Sequence, residues 1–338
     1  MFRAYRHRAG QQSNWPADKH RGGRAGQQAS WPAESNTARQ AGREIAHTQN
    51  FLTSRRLVER LVERAEIGPD DLVLEIGPGR GIITEALARR ARSVVAVEKD
   101  PALAGRLARR FVENPSVTIV AADVLDVSLP SVPFKVFASL PFNATSEIVT
   151  RLLAAPCPPD EMYLVMQREA AERFSGTPRE SLMAVLLKPW FEPSIAHRFE
   201  RHDFTPAPRV DAVMLRLHKR GPPLVADADA RLFRDFASYG FTAWRPSLVC
   251  TLEGLIGRVR ARQVAREVGL PLEAPPSQVG FELWLRLFQV LKDGDRTLLA
   301  GRLAGSEHRL RLQQRSLAKV HRTRTRQTRR PPPKRLIA

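Results

Sequence analysis

A chain of 338 residues, 43% hydrophobic and 26% charged, has the balance of a soluble globular protein and enough length for two domains. Its net charge of +19 lies at the ends, with eight Lys/Arg against two acids in residues 1–43 and twelve against one in residues 301–338, leaving 34 bases and 32 acids between them. Two distant cysteines, Cys157 and Cys250, and the lack of any run near the ~18 apolar residues of a membrane span argue against a zinc site, a disulfide framework, a transmembrane segment or a secretory signal, and for a cytoplasmic protein.

Residues 1–43 read as a basic low-complexity arm, in which residues 8–17 recur as residues 24–33, each copy with a Trp-Pro pair. Trp15 and Trp31 suit stacking on exposed bases while the arginines meet phosphate; the plain alternative is an inert, solubilising tail. The Trp-Pro pairs also break any amphipathic helix of an organellar transit peptide. An ordered body begins near Ile45, with an α/β domain over 44–221. A helix follows Thr53 or Ser54, either of which can cap it, with Leu57, Val58, Leu61, Val62 and Ala65 at helical spacing. Strands and helices then alternate: strands over 72–76, 94–98, 117–121 and 134–138, helices over 82–90 and 101–112, the latter opened by Pro101. Runs rich in Val and Ile between helices predict a parallel sheet covered on both faces. A further apolar run covers 162–166 and another 182–191, and the alternation over 210–217 predicts a half-exposed edge strand. After Gly221-Pro222-Pro223 the pattern is helical only, a second domain over 222–295, and residues 296–338 read as a basic tail. Leu298, Leu303, Leu310, Leu312 and Leu317 allow some helix there, whereas 322–333 is expected to be disordered.

In an open parallel sheet, ligands sit at the carboxyl ends of the strands. The first strand ends in Gly77-Pro78-Gly79-Arg80-Gly81, a turn whose missing Cβ atoms let a cofactor approach bare backbone. A dinucleotide fingerprint needs Gly-x-Gly-x-x-Gly, but position 82 is Ile, so hydride chemistry with a nicotinamide cofactor is disfavoured. The second strand ends in Glu98, able to accept from both hydroxyls of a ribose, and the third in Asp123, able to accept from an exocyclic amine. Each acid alone is more often a solvated turn residue; together they describe an adenosyl ligand with an unmodified ribose.

The fourth strand ends in Ser139-Leu140-Pro141-Phe142-Asn143, which resembles the motif by which amino-methylating nucleic acid methyltransferases hold a base. An exocyclic adenine nitrogen is a poor nucleophile because its lone pair is delocalised into the ring. Accepting its hydrogens at the Ser139 side chain and the Leu140 carbonyl localises that pair, while Phe142 stacks on the extruded base. The alternative for this stretch is a Pro-containing turn. With these motifs the chain resembles the S-adenosylmethionine-dependent rRNA adenine N6-methyltransferases from about Ile45 to Leu291, and more narrowly the Erm group that confers macrolide, lincosamide and streptogramin B resistance.

The resemblance implies a Rossmann-like methyltransferase domain over 44–221, a helical RNA-binding domain over 222–295, a monomer, and no metal. Gln49-Asn50-Phe51-Leu52 matches the family's N-terminal element, whose Asn50 and Leu52 would contact the methionine half of S-adenosylmethionine. Glu75 to Gly81 matches its Gly loop, so Gly77 and Gly79 would floor the cofactor; Glu98 would hold the ribose, and Asp123 with Val124 the adenine. Ser139 would serve both cofactor and substrate, and it departs from the family's usual Asn by reaching less far. Residues 204–211 match a Phe-x-Pro-x-Pro-x-Val element in which Phe204 would be the second wall of the base slot, beside Leu140, Pro141 and Phe142. The implied partner is 23S rRNA. Relatives with other roles are the small-subunit rRNA dimethyltransferases and non-catalytic transcription factors on the same fold; Pro178-Arg179-Glu180-Ser181 and the following apolar stretch resemble the Erm pattern instead.

Overall fold

The apolar runs of the first half pair into one sheet in the computed structural model, which describes residues 50–140 and 144–316. Strands β2 (Leu72–Ile76), β3 (Ser93–Glu98), β4 (Val117–Ala121), β5 (Lys135–Ser139) and β6 (Glu161–Gln167) are parallel, and β9 (Ala212–Lys219) and β7 (Phe191–Arg198) join antiparallel. The seven-stranded order is β4-β3-β2-β5-β6-β9-β7. Chain order reverses at β2, which has β3 on one side and β5 on the other, so a crevice opens at the carboxyl ends of those strands. The register sets Leu74 between Val95 and Val136, all nearly inaccessible to solvent. Helices cover the sheet: α1 (Arg55–Arg64), α2 (Ile82–Ala88), α3 (Pro101–Arg110), α4 (Thr145–Leu153), α5 (Arg168–Ser175) and α6 (Leu182–Leu187).

Local rules place several ends. Ser54 rather than Thr53 caps α1, its Oγ accepting the Leu57 N–H at 3.2 Å, and α1 buries Leu57, Val58, Leu61 and Val62. Asp100 caps α3 by accepting from the N–H groups of Ala102 and Leu103, with Pro101 in the first turn. Thr53 instead donates to the Asp203 carbonyl, beside a two-residue pair between β1 (Phe51–Leu52) and β8 (Phe204–Thr205).

The structure corrects the expectation of an edge strand near 210–217. β9 is interior, flanked by β6 and β7, with Val213, Met214, Leu215 and Leu217 buried. Its alternation reflects one charged position, Arg216, which is neutralised by a bidentate pair with Glu161 at 2.9 and 2.6 Å. The edge on this side of the sheet is β7, whose Pro193 and bulge between Ile195 and His197 suit a strand with one unpaired side.

The helical part comprises α7 (Ala230–Thr242), α8 (Leu248–Ile256), α9 (Arg258–Val268), α10 (Phe281–Leu303) and α11 (Ser306–Ser316) around Phe233, Phe236, Trp284 and Phe288. A side chain at Gly240 would strike Trp284 at 2.4 Å, so this glycine lets α7 and α10 close. Helix runs on past Asp295, where α10 kinks, and Leu299 and Leu303 belong to the same core. The stretch read as the start of a basic tail at residue 296 is therefore folded through Ser316. Glu180 ties the two parts together: its N–H donates to the Ser277 carbonyl at 2.9 Å, and its carboxylate accepts from the Phe281 N–H and pairs with Lys188. The arm over 1–43 with its repeat, Gln49, and the tail over 317–338 lie outside the described residues.

Candidate active site at the strand ends

The turn after β2 is built on three left-handed glycines, Gly77, Gly79 and Gly81, at φ +71°, +57° and +80°. Their neighbours are protein. A Cβ at Gly77 would lie 2.8 Å from the Ser139 carbonyl oxygen, one at Gly79 2.7 Å from the Phe51 ring, and one at Gly81 2.6 Å from Leu107. The chain's own close approaches require glycine at Gly77 and Gly79, the positions expected to floor the cofactor. These contacts bring β2, β5, β1 and α3 to one place, and the Arg80 guanidinium covers the Phe51 ring at 4.8 Å.

Two carboxyls are buried behind this turn. Glu98, 3% exposed at the end of β3, accepts the Gly79 N–H at 3.0 Å and the Asp100 N–H at 2.9 Å. Burial raises its pKa, against the lowering effect of those backbone donors. Glu75, in β2, is 1% exposed, with the Thr84 hydroxyl and backbone N–H as the polar groups beside its carboxyl. Burial pushes Glu75 up to about 8, and the nearby Glu98 charge adds to the effect. Sequence reasoning placed Glu75 only within the Gly motif. The signal for more was a carboxylate inside a strand otherwise made of Leu, Val and Ile.

Asp123 follows β4. Its Oδ1 accepts the Leu125 N–H at 3.0 Å, and its Oδ2 holds the Lys99 ammonium at 2.7 Å, the principal cause of its lowered pKa. Lys99, next to Glu98, went unnoticed in the sequence; it shares the acceptor expected for the adenine. Val124 is buried in the sheet core.

Ser139 ends β5 opposite Val165, and the Leu140 N–H donates to the Val165 carbonyl at 3.0 Å, with the Leu140 side chain buried. Pro141, Phe142 and Asn143 lie outside the described residues. The β1–β8 pair joins two motifs some 150 residues apart, with Leu52 opposite Phe204 and the Thr53 N–H donating to the Asp203 carbonyl at 3.0 Å. Asn50 is half-buried just before β1. Phe204 is 5% exposed and meets Phe199 edge-on at 5.2 Å, so the ring expected to wall a base slot closes the core beneath this pair. Among the described residues no His/Cys/Asp/Glu cluster could hold a metal, and no helix is long and apolar enough to cross a membrane.

Two buried carboxyls and a glycine turn at a topological switch point make this the place where an open α/β sheet binds a ligand with hydrogen-bond donors. Residues 43–293 match the family model described as ribosomal RNA adenine dimethylase. An rRNA adenine N-6-methyltransferase of Saccharopolyspora erythraea is 35% identical over 244 residues, 72% of this chain and 64% of that protein's own length. A ribosomal RNA small subunit methyltransferase A of Streptococcus pneumoniae is 35% identical over 222 residues, 62% of this chain and 77% of that protein. The crystal structure of the 23S rRNA methyltransferase ErmE superposes with a TM-score of 0.67 at 34% identity, covering 72% of this chain and 100% of that one. The chain belongs to the ribosomal RNA adenine dimethylase family, whose members are S-adenosylmethionine-dependent methyltransferases.

Proposed function

We propose that this chain methylates N6 of one adenine in the peptidyl transferase loop of 23S rRNA, the modification that gives macrolide, lincosamide and streptogramin B resistance, and that it acts as a cytoplasmic monomer. The observation that carries the reading is the convergence of the Gly77–Gly81 turn, buried Glu75 and Glu98, and Ser139 at adjacent strand ends, in a chain that matches ErmE over the whole length of that structure. S-adenosylmethionine, when bound, supplies an electrophilic methyl group. Asn50 and Leu52 would hold its methionine half, Gly77 and Gly79 shape the floor, Glu98 accepts from the ribose hydroxyls, and Asp123 and Val124 take the adenine, with Lys99 leaving the Asp123 oxygen it holds at 2.7 Å.

At the substrate side, the Ser139 side chain and Leu140 carbonyl would accept the two hydrogens of the target amine. That draws its nitrogen toward a tetrahedral, nucleophilic form without a strong base. Phe142, in the Pro141-containing motif, would stack on the flipped base, and Phe204 supports the slot from the core. The pneumococcal relative, of equal identity, supports a second reading, an adenine of small-subunit rRNA. The segment around Glu180 and the full-length match to ErmE favour the first.

Calorimetric titration tests the cofactor half. S-adenosylmethionine is expected to bind, NAD is not, and Asp123→Ala weakens binding by about 5- to 150-fold, the equivalent of ~1–3 kcal/mol for one unpaired polar group. Unchanged affinity in Asp123→Ala would put the adenine elsewhere, and NAD binding without S-adenosylmethionine binding would end the reading.

A further inference from the structure

Between α7 and α8 the chain presents a single tryptophan to solvent. Trp244 is 97% exposed, whereas Trp284, in the adjoining helical core, is fully buried. The loop that carries it is pinned at both ends. The Ala243 N–H donates to the Tyr239 carbonyl at 3.1 Å, Phe241 stacks on Trp284 at 5.1 Å, and Ser247, 3% exposed, accepts the Cys250 N–H at 3.2 Å as the cap of α8. The Leu248 N–H is held by the Ala274 carbonyl at 3.0 Å. Between those anchors Trp244 has φ +52°, a left-handed backbone that a side chain with a Cβ adopts only at a cost. A large apolar ring in water on a strained backbone lowers stability twice and returns no packing to the fold, so its benefit lies outside the folded monomer.

The surroundings select the kind of partner. Arg245 and Pro246 are exposed beside the ring in the chain, and Ala243 on its other side is half-buried, so the ring's exposed chain neighbours are a cation and a proline. The first turn of α8 has no acidic side chain to repel an anion. α9, packed on α8, exposes Arg258, Arg260 and Arg266 along with one acid, Glu267. One flat face with a cation next to it in the chain, on a helical part that exposes further arginines, is what a single unpaired base and its phosphates require.

We propose that Trp244 is a stacking post for an unpaired base of the RNA substrate, with Arg245 on an adjoining phosphate. This rests on the RNA methyltransferase reading and gives the helical part a defined contact, remote in sequence from every motif at the strand ends. The ring stacks whichever base is presented, so the post adds affinity and orientation while base choice stays with the site at Ser139.

The test uses the full-length chain and protein-free rRNA that the wild type methylates. Trp244→Ala is expected to raise the KM for RNA by about fivefold or more, the lower end for loss of one base–aromatic stack, with the affinity for S-adenosylmethionine unchanged. Trp244→Phe should stay within about threefold of wild type, and Arg245→Ala should flatten the salt dependence of RNA binding by about 0.7 in log K against log salt, the increment of one single-strand phosphate. Trp244→Gly separates function from folding: it takes φ +52° without strain, so its Tm should be no lower than wild type while its RNA KM rises as in Trp244→Ala. If Trp244→Ala and Trp244→Gly methylate with wild-type KM, the stacking post is overturned and the methyltransferase reading stands. A defect seen only with ribosomal particles, and not with protein-free RNA, would assign the surface to a protein and also overturn it. A wild-type chain that methylates no RNA would remove the reading on which the post rests.

Discussion

Glu75 shows how one residue connects a strand to chemistry. Desolvation within β2 and the proximity of Glu98 hold its carboxyl neutral up to about pH 8, and a neutral acid costs far less to bury than a charged one. The linkage has a definite sign. A carboxyl whose folded pKa is raised binds its proton in the folded chain while the unfolded chain has lost it, so its contribution to stability declines as pH rises from about 4.5 to about 8 and is flat beyond. Glu75→Gln removes that decline. Its Tm relative to wild type should rise with pH across the window, by the equivalent of a few kcal/mol in order of magnitude, and a difference independent of pH would show that Glu75 is not buried neutral. The sequence displayed the acid, but its burial comes from the packing of α2, with Thr84, and β3 around it. Likewise Glu98 and Asp123 were legible as strand-end acids, whereas the Lys99 pairing needed β3 and β4 side by side. At Gly77 the close approach of the Ser139 carbonyl could not be read from the sequence, because it needs β2 and β5 side by side.

At the scale of elements, the parallel strands were readable because β2, β3, β5 and β6 lie inside the sheet with helices over them and are mostly apolar. β7 was not. Its Phe-Glu-Pro-Ser-Ile-Ala-His-Arg carries no strand period, and it is a strand because β9 pairs with it. The two-residue β1–β8 pair is still less legible, since it exists only through a contact across the chain. α11 was hidden by its charge: with its Arg residues it reads as tail, yet Leu303 just before it is buried and Asp235, 5% exposed, accepts the Glu307 N–H at 2.9 Å as a cap supplied by α7. Asp235→Ala should lower stability by about 1–2 kcal/mol and speed proteolysis after residue 305. Unchanged Tm and cleavage would mean that α11 is held by its apolar contacts alone.

Across the whole molecule, charge and catalysis are divided. Residues 1–43 and 317–338 carry net charges of +6 and +8, yet no catalytic motif lies in them. The folded α11 moves the boundary of the C-terminal arm from residue 296 to 317, so a clean test removes 1–43 and 317–338 and keeps the helix. If the arms meet phosphate, the deletion raises the KM for RNA, leaves that for S-adenosylmethionine nearly unchanged, and flattens the salt dependence by about 0.7–0.9 in log K for each phosphate the arms had neutralised. Full RNA affinity in the truncated chain at roughly physiological salt would make the arms inert. The central claim concerns which RNA the strand-end site modifies, and it is tested most directly by transfer of a tritiated methyl group from S-adenosylmethionine to protein-free 23S rRNA and, in parallel, to 16S rRNA. The account predicts label on N6 of one adenine in the peptidyl transferase loop of 23S rRNA and none on 16S rRNA; label on 16S rRNA alone, or on neither, would contradict it.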